Sequence, residues 1–98
     1  MMICEVKDEE LKDVLASCGL RASGHALCRI RQRLAPVSLD LFLDDLKTAC
    51  RRYRSGKAKK KKKLRITKGG IAVRNEYYVR QGGVTFVFFK DYLISVYV

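Results

Sequence analysis

Val84-Thr85-Phe86-Val87-Phe88-Phe89-Lys90-Asp91-Tyr92-Leu93-Ile94-Ser95-Val96-Tyr97-Val98 decides the fold class. Val84 to Phe89 is nearly all apolar and rich in β-branched and aromatic residues, so it reads as a central strand covered on both faces. Lys90-Asp91 turns it into a second strand, Leu93 to Val98. Working back from there, Tyr77-Tyr78-Val79-Arg80 reaches it through Gln81-Gly82-Gly83, and Leu64-Arg65-Ile66-Thr67 and Ile71-Ala72-Val73-Arg74 flank Lys68-Gly69-Gly70, a hairpin signal. Short connections between such runs predict an antiparallel meander of four to five strands.

Before Leu64 the period is helical. Leu39, Phe42, Leu43, Leu46, Ala49, Cys50 and Tyr53 mark one face of a long helix that Ser38 caps and Gly56 stops. Its early Asp40, Asp44 and Asp45 and late Arg51, Arg52 and Arg54 both suit the helix dipole. A shorter helix follows Ser23 as N-cap and ends before Pro36. Another runs from about Glu9 to Cys18, with Leu11, Val14, Leu15 and Cys18 on one face and Gly19 as its stop. Ile3 to Val6 reads as a short strand or extended lead-in. The expected architecture is α+β: two to three N-terminal helices on a C-terminal antiparallel sheet, in a single domain spanning 1–98.

Charge divides the chain. Residues 1–50 carry seven Lys or Arg against eight Asp or Glu; residues 51–98 carry fourteen against two. The net charge of +11 therefore resides in the second half and implies a polyanionic partner, nucleic acid first. Lys59, Lys60, Lys61, Lys62 and Lys63 follow one another without a break, and mutual repulsion predicts a solvated, flexible basic loop at about 56–63 that tethers nucleic acid. Arg33, Arg65, Arg74 and Arg80 extend the set of expected nucleic-acid contacts, and Tyr77, Tyr78 and Tyr92 are candidates for stacking bases.

The composition excludes several classes. There is no apolar run long enough to span a bilayer, so no membrane role is expected. Cys4, Cys18, Cys28 and Cys50 form no Cys-x-x-Cys pair and a single His supplies no second ligand pair, so no metal or cofactor is expected. Thiols packed in helices imply a reducing, cytoplasmic setting. No Gly-rich phosphate loop, nucleophile elbow or separated carboxylate pair is present.

One cluster carries chemistry. On a helix, His25, Arg29 and Arg33 lie one turn apart along one side, while Ala26, Leu27, Ile30 and Leu34 face the core. An imidazole beside guanidinium groups suits phosphate handling and proton transfer near neutral pH. Ser95 and Tyr97 point to the same face of the last strand.

His25-Ala26-Leu27-x-Arg29-x-x-x-Arg33, the capped helix after it and the ending Leu93-Ile94-Ser95-Val96-Tyr97 together resemble a family of small bacterial and phage domains related to BrnT and, more distantly, to RelE-type toxins. The resemblance covers about residues 23–98. It implies helices on an antiparallel sheet and metal-independent cleavage of RNA, with His25, Arg29, Ser95 and Tyr97 as catalytic residues and a protein antidote or host protein as a further partner. The chain departs from the family pattern with serine where threonine is usual, in the long lysine run, and in the helix ahead of the motif. Two other functions fit the composition: a non-catalytic basic nucleic-acid binder, and a phage-type factor that blocks a host nucleic-acid-processing protein.

Overall fold

Apart from a two-residue strand at Arg21–Ala22, helices come first and strands after, as the change of period requires. The computed structural model describes residues 1–98. Its elements are α1 (Asp8–Ser17), β1 (Arg21–Ala22), α2 (Gly24–Leu34), α3 (Leu39–Arg54), β2 (Lys59–Thr67), β3 (Gly70–Gln81), β4 (Val84–Phe89) and β5 (Tyr92–Tyr97). The fold is α+β, and no helix is long and apolar enough to cross a membrane.

Local chemistry sets the helix limits. Ser23 Oγ accepts the Ala26 N–H at 3.1 Å, which satisfies one orphan donor at the start of α2. Ser38 stands at the N-cap of α3, but its side chain accepts no capping bond; its backbone instead bridges to Met2. Gly19 takes φ +72° after α1, where a Cβ would also strike Arg54. Ile3–Glu5 forms a 3₁₀ turn rather than a strand.

The sheet order is β1-β5-β4-β3-β2. β2 to β5 form the expected antiparallel meander, with β4 central. The fifth strand comes from elsewhere: Arg21–Ala22 pairs parallel with Tyr92 and Leu93. Ile71–Arg74 and Tyr77–Arg80, separate strands by sequence, are one continuous strand, β3. The basic loop expected at 56–63 is corrected from Lys59 onward, because Lys59–Lys63 pair in register with Tyr78–Arg74.

All three helices lie on one face. Tyr77, Val79, Phe86, Phe88, Leu93 and Val96 turn toward them and meet Leu27, Ile30, Phe42, Leu46 and Tyr53. Phe42 lies 6.1 Å from Phe86, and Tyr53 stacks on Phe88 at 4.7 Å. Each such buried side chain contributes about 1.5–3 kcal/mol relative to exposure. At the β3–β4 turn, Gly82 has φ +62° and sits against the Asp45 carboxylate of α3, so only glycine fits.

Period-2 alternation sends the other set of side chains to the opposite face, which no helix covers. There Lys59, Lys61, Lys63 and Arg65 of β2 run beside Tyr78, Glu76 and Arg74 of β3, then Val87 and Phe89 of β4, then Ser95 and Tyr97 of β5. α2 lies along the β5 side, where Arg33 Nη1 donates to the Val96 carbonyl at 2.6 Å.

Candidate nucleic-acid interface and cleft

The uncovered face closes into a cleft of about 740 Å³ between β5, the start of α2 and the β2–β3 hairpin. His25, Lys63, Arg65, Arg74, Glu76, Ser95 and Tyr97 supply its polar lining, with Val87, Phe89, Tyr92 and Ile94 among the apolar groups. His25 and Ser95 arrive from elements at opposite ends of the chain. α2 places His25 in its first turn, and β5 places Ser95 and Tyr97 on one face by its two-residue period.

His25 is exposed at the rim. Arg29 Nε donates to His25 Nε2 at 3.3 Å, so the two side chains meet one helical turn apart. Arg29 Nη1 also bonds Gln32 Oε1 at 3.4 Å and does not line the cleft. Arg29 therefore reaches the site through His25. Arg33 plays a different part from a free phosphate clamp. Its guanidinium is bound to the Val96 carbonyl and lies 4.6 Å from the Tyr97 ring centroid, so it fixes that ring beside the cleft. Ser95 is buried against the floor, and Tyr97 is 42% exposed.

Glu76 is a centre the sequence reading passed over. It is 6% exposed, accepts from Arg74 Nη2 at 2.6 Å and from the Tyr78 hydroxyl at 3.2 Å. A lone buried carboxylate would be costly, and these two bonds compensate for its lost hydration. Burial, the Glu76 charge, and the hydrogen bond to it all push the Tyr78 hydroxyl above its usual range. Arg74 is held in turn over the Phe89 ring at 5.2 Å, while its Nε is buried without a partner. The pattern Arg74-x-Glu76-x-Tyr78-x-Arg80 places four polar groups on one side of a strand, and that alternation was the signal available in the sequence.

Outside the cleft the face remains cationic. Lys61 Nζ lies 4.7 Å from the Tyr78 ring centroid, and Arg80 donates to Thr85 Oγ1 at 3.0 Å. Lys59 and Lys61 continue the row that Lys63 and Arg65 begin, whereas Lys60 and Lys62 point to the helix side. Of the three candidate stacking tyrosines, Tyr78 belongs to this face and Tyr92 lines the cleft. Tyr77 is removed from the set: it packs against Tyr53 at 5.3 Å, on the core side.

No group of three or more His, Cys, Asp or Glu side chains is gathered in metal-binding geometry. Comparison of the chain with protein-family models, with curated proteins and with solved structures gave no match.

Proposed function

We propose that this protein binds single-stranded RNA along its uncovered sheet face and cleaves it in the His25–Ser95–Tyr97 cleft, as a metal-independent endoribonuclease of the BrnT and RelE-like kind. One observation carries the reading: His25 from α2 and Ser95 and Tyr97 from β5 line the same cationic cleft. The row Lys59, Lys61, Lys63 and Arg65 leads a polyphosphate chain into it.

RNA carries its own nucleophile, the ribose 2′-hydroxyl. Cleavage then needs a group to take that proton, charge to stabilise the phosphorane and a proton for the leaving 5′-oxygen. His25 Nε2 takes the proton once the Arg29 N–H is displaced, and the resulting imidazolium returns one to the 5′-oxygen. Lys63 and Arg74 face the phosphate, and Ser95 donates to a non-bridging oxygen. Tyr97, braced by Arg33, packs against a neighbouring base or ribose. Glu76 holds Arg74 and Tyr78 in place.

The row of Lys59, Lys61 and Lys63 also favours a second reading, non-catalytic nucleic-acid binding, because most of that row lies outside the cleft. Incubation with single-stranded RNA in the presence of a chelator separates the two. The enzyme reading predicts fragments ending in 2′,3′-cyclic phosphate and a loss of at least about a hundredfold in rate for His25→Ala. Intact RNA that remains bound selects the second reading.

A further inference from the structure

The tip of the β2–β3 hairpin carries an apolar cluster that the core does not cover and of which only Leu64 also borders the cleft. Leu64 pairs with Val73 and Ile66 with Ile71, so the four side chains share the helix-side face of the hairpin. The helices do not extend beneath them: Leu64 is 71% exposed, Ile66 93%, Ile71 72% and Val73 60%. A contiguous aliphatic patch in this position marks a contact surface. β2 is also the outer strand of the sheet, so the backbone groups of its alternate residues point outward without a sheet partner.

We propose that this hairpin docks an extended acidic protein segment with aliphatic residues at alternate positions, which adds to β2 as a further strand. Charge selects the occupant. Between Lys57 and Asn75 the chain has nine Lys or Arg and no Asp or Glu. A second copy laid along β2 would set these cations against their own kind. RNA would satisfy the lysines, but the cluster has no ring on which a base stacks. An acidic, alternating strand satisfies every feature. Its backbone pairs with the free edge, its aliphatic side chains cover Leu64 and Ile66, and its carboxylates lie beside Lys61, Lys63 and Arg65 on the other face. The docking shares Lys61, Lys63 and Arg65 with the RNA row but does not require that the cleft cleave RNA.

A dye-labelled, end-capped ten-residue peptide alternating Glu and Val serves as the probe. Two controls use the same peptide N-methylated at alternate residues and the Ile66→Thr/Ile71→Thr protein, whose changes fall on exposed positions outside the cleft. The proposal predicts binding of the alternating peptide at physiological salt and slowed amide exchange along β2. It also predicts at least about a tenfold weakening in each control. Equal binding of the N-methylated peptide, or unchanged binding by the double variant, would show charge attraction alone and overturn it. So would a concentration-dependent dimer that Ile66→Thr/Ile71→Thr dissolves, or an oligouridine that protects the β2 edge in place of the peptide.

Discussion

Arg33 Nη1 donates to the carbonyl oxygen of Val96 at 2.6 Å, joining residues sixty-three positions apart. The bond ties the middle of the chain to the strand that carries Ser95 and Tyr97, and it sets the guanidinium over the Tyr97 ring. A charged hydrogen bond to a carbonyl contributes about 1.5–3 kcal/mol, and the ring contact adds about 0.5–1 kcal/mol. Arg33→Ala should therefore lower unfolding stability by about 2 kcal/mol in urea titrations. Arg33→Lys should recover only part of that, because an ammonium lacks the planar fork. A variant as stable as the parent would remove the seam between α2 and β5 from the account.

The two faces of β2 separate the lysines by direction. Lys59, Lys61 and Lys63 share the face of the cleft, while Lys60 and Lys62 face the other way. Replacing the first three with Gln should weaken binding to single-stranded RNA of any sequence. Each lost phosphate contact should flatten the salt slope by about 0.7. Replacing Lys60 and Lys62 should change both quantities less per residue. Equal losses per residue from the two sets would mean that the strand's pleat does not direct the contact.

That division marks where the sequence was legible and where it was not. The helices were, because their apolar residues recur at helical spacing and Ser23, Gly19 and Pro36 bound them. The antiparallel meander was legible from β-branched runs and glycine turns, but not the merging of Ile71–Arg74 and Tyr77–Arg80 into one strand. The lysine run was misread because repulsion along the chain was weighed without its neighbours. In a strand, consecutive lysines point to opposite faces, and those on one face are about 7 Å apart. β3 then supplies Tyr78 and Glu76 beside them, partners that only the register reveals. Arg21–Ala22 is too short to leave a pattern. His25 stood out by type and spacing, and Ser95 and Tyr97 by the shared face of their strand and the family resemblance; the fold brings the three to one cleft. Glu76 did not stand out: the alternation of Arg74, Glu76, Tyr78 and Arg80 puts it on one side of a strand but does not show that a single acid among cations will be buried.

Tyr78 and Tyr53 provide a test in alkali. Burial is the first cause that raises both hydroxyls, followed for Tyr78 by the Glu76 charge and for Tyr53 by Tyr77. A tyrosine whose folded pKa is raised favours the folded state fully below its unfolded pKa, about 10. That contribution is lost as pH rises from there through the folded value. In an ultraviolet titration Tyr53 and Tyr78 should ionise above the ordinary tyrosine range, and Tyr78→Phe should remove one late step. The variant's stability should also fall less between neutral pH and strong alkali. A titration from which Tyr78→Phe removes no late step would contradict the packing described for Glu76 and Tyr78.

Gly82 tests how α3 is held against the β3–β4 turn. Gly82→Ala combines a positive φ with collision against Asp45 and should cost about 1–3 kcal/mol, seen as a lower urea midpoint. Gly69, which has open space around it and an ordinary φ, should accept Ala with little change. Similar outcomes at the two positions would remove Asp45 from its place beside the turn.

The most direct measurement uses a DNA oligomer containing one ribonucleotide, incubated with the protein and a chelator. If His25 draws the proton from a 2′-hydroxyl in the cleft, the strand is cut once, 3′ to the ribonucleotide, and the 5′ fragment ends in a 2′,3′-cyclic phosphate. The all-DNA strand stays whole, and His25→Ala abolishes the cut. Cleavage at deoxyribonucleotides, an unaltered rate in His25→Ala, or no cleavage of this strand or of any RNA would contradict the proposed chemistry.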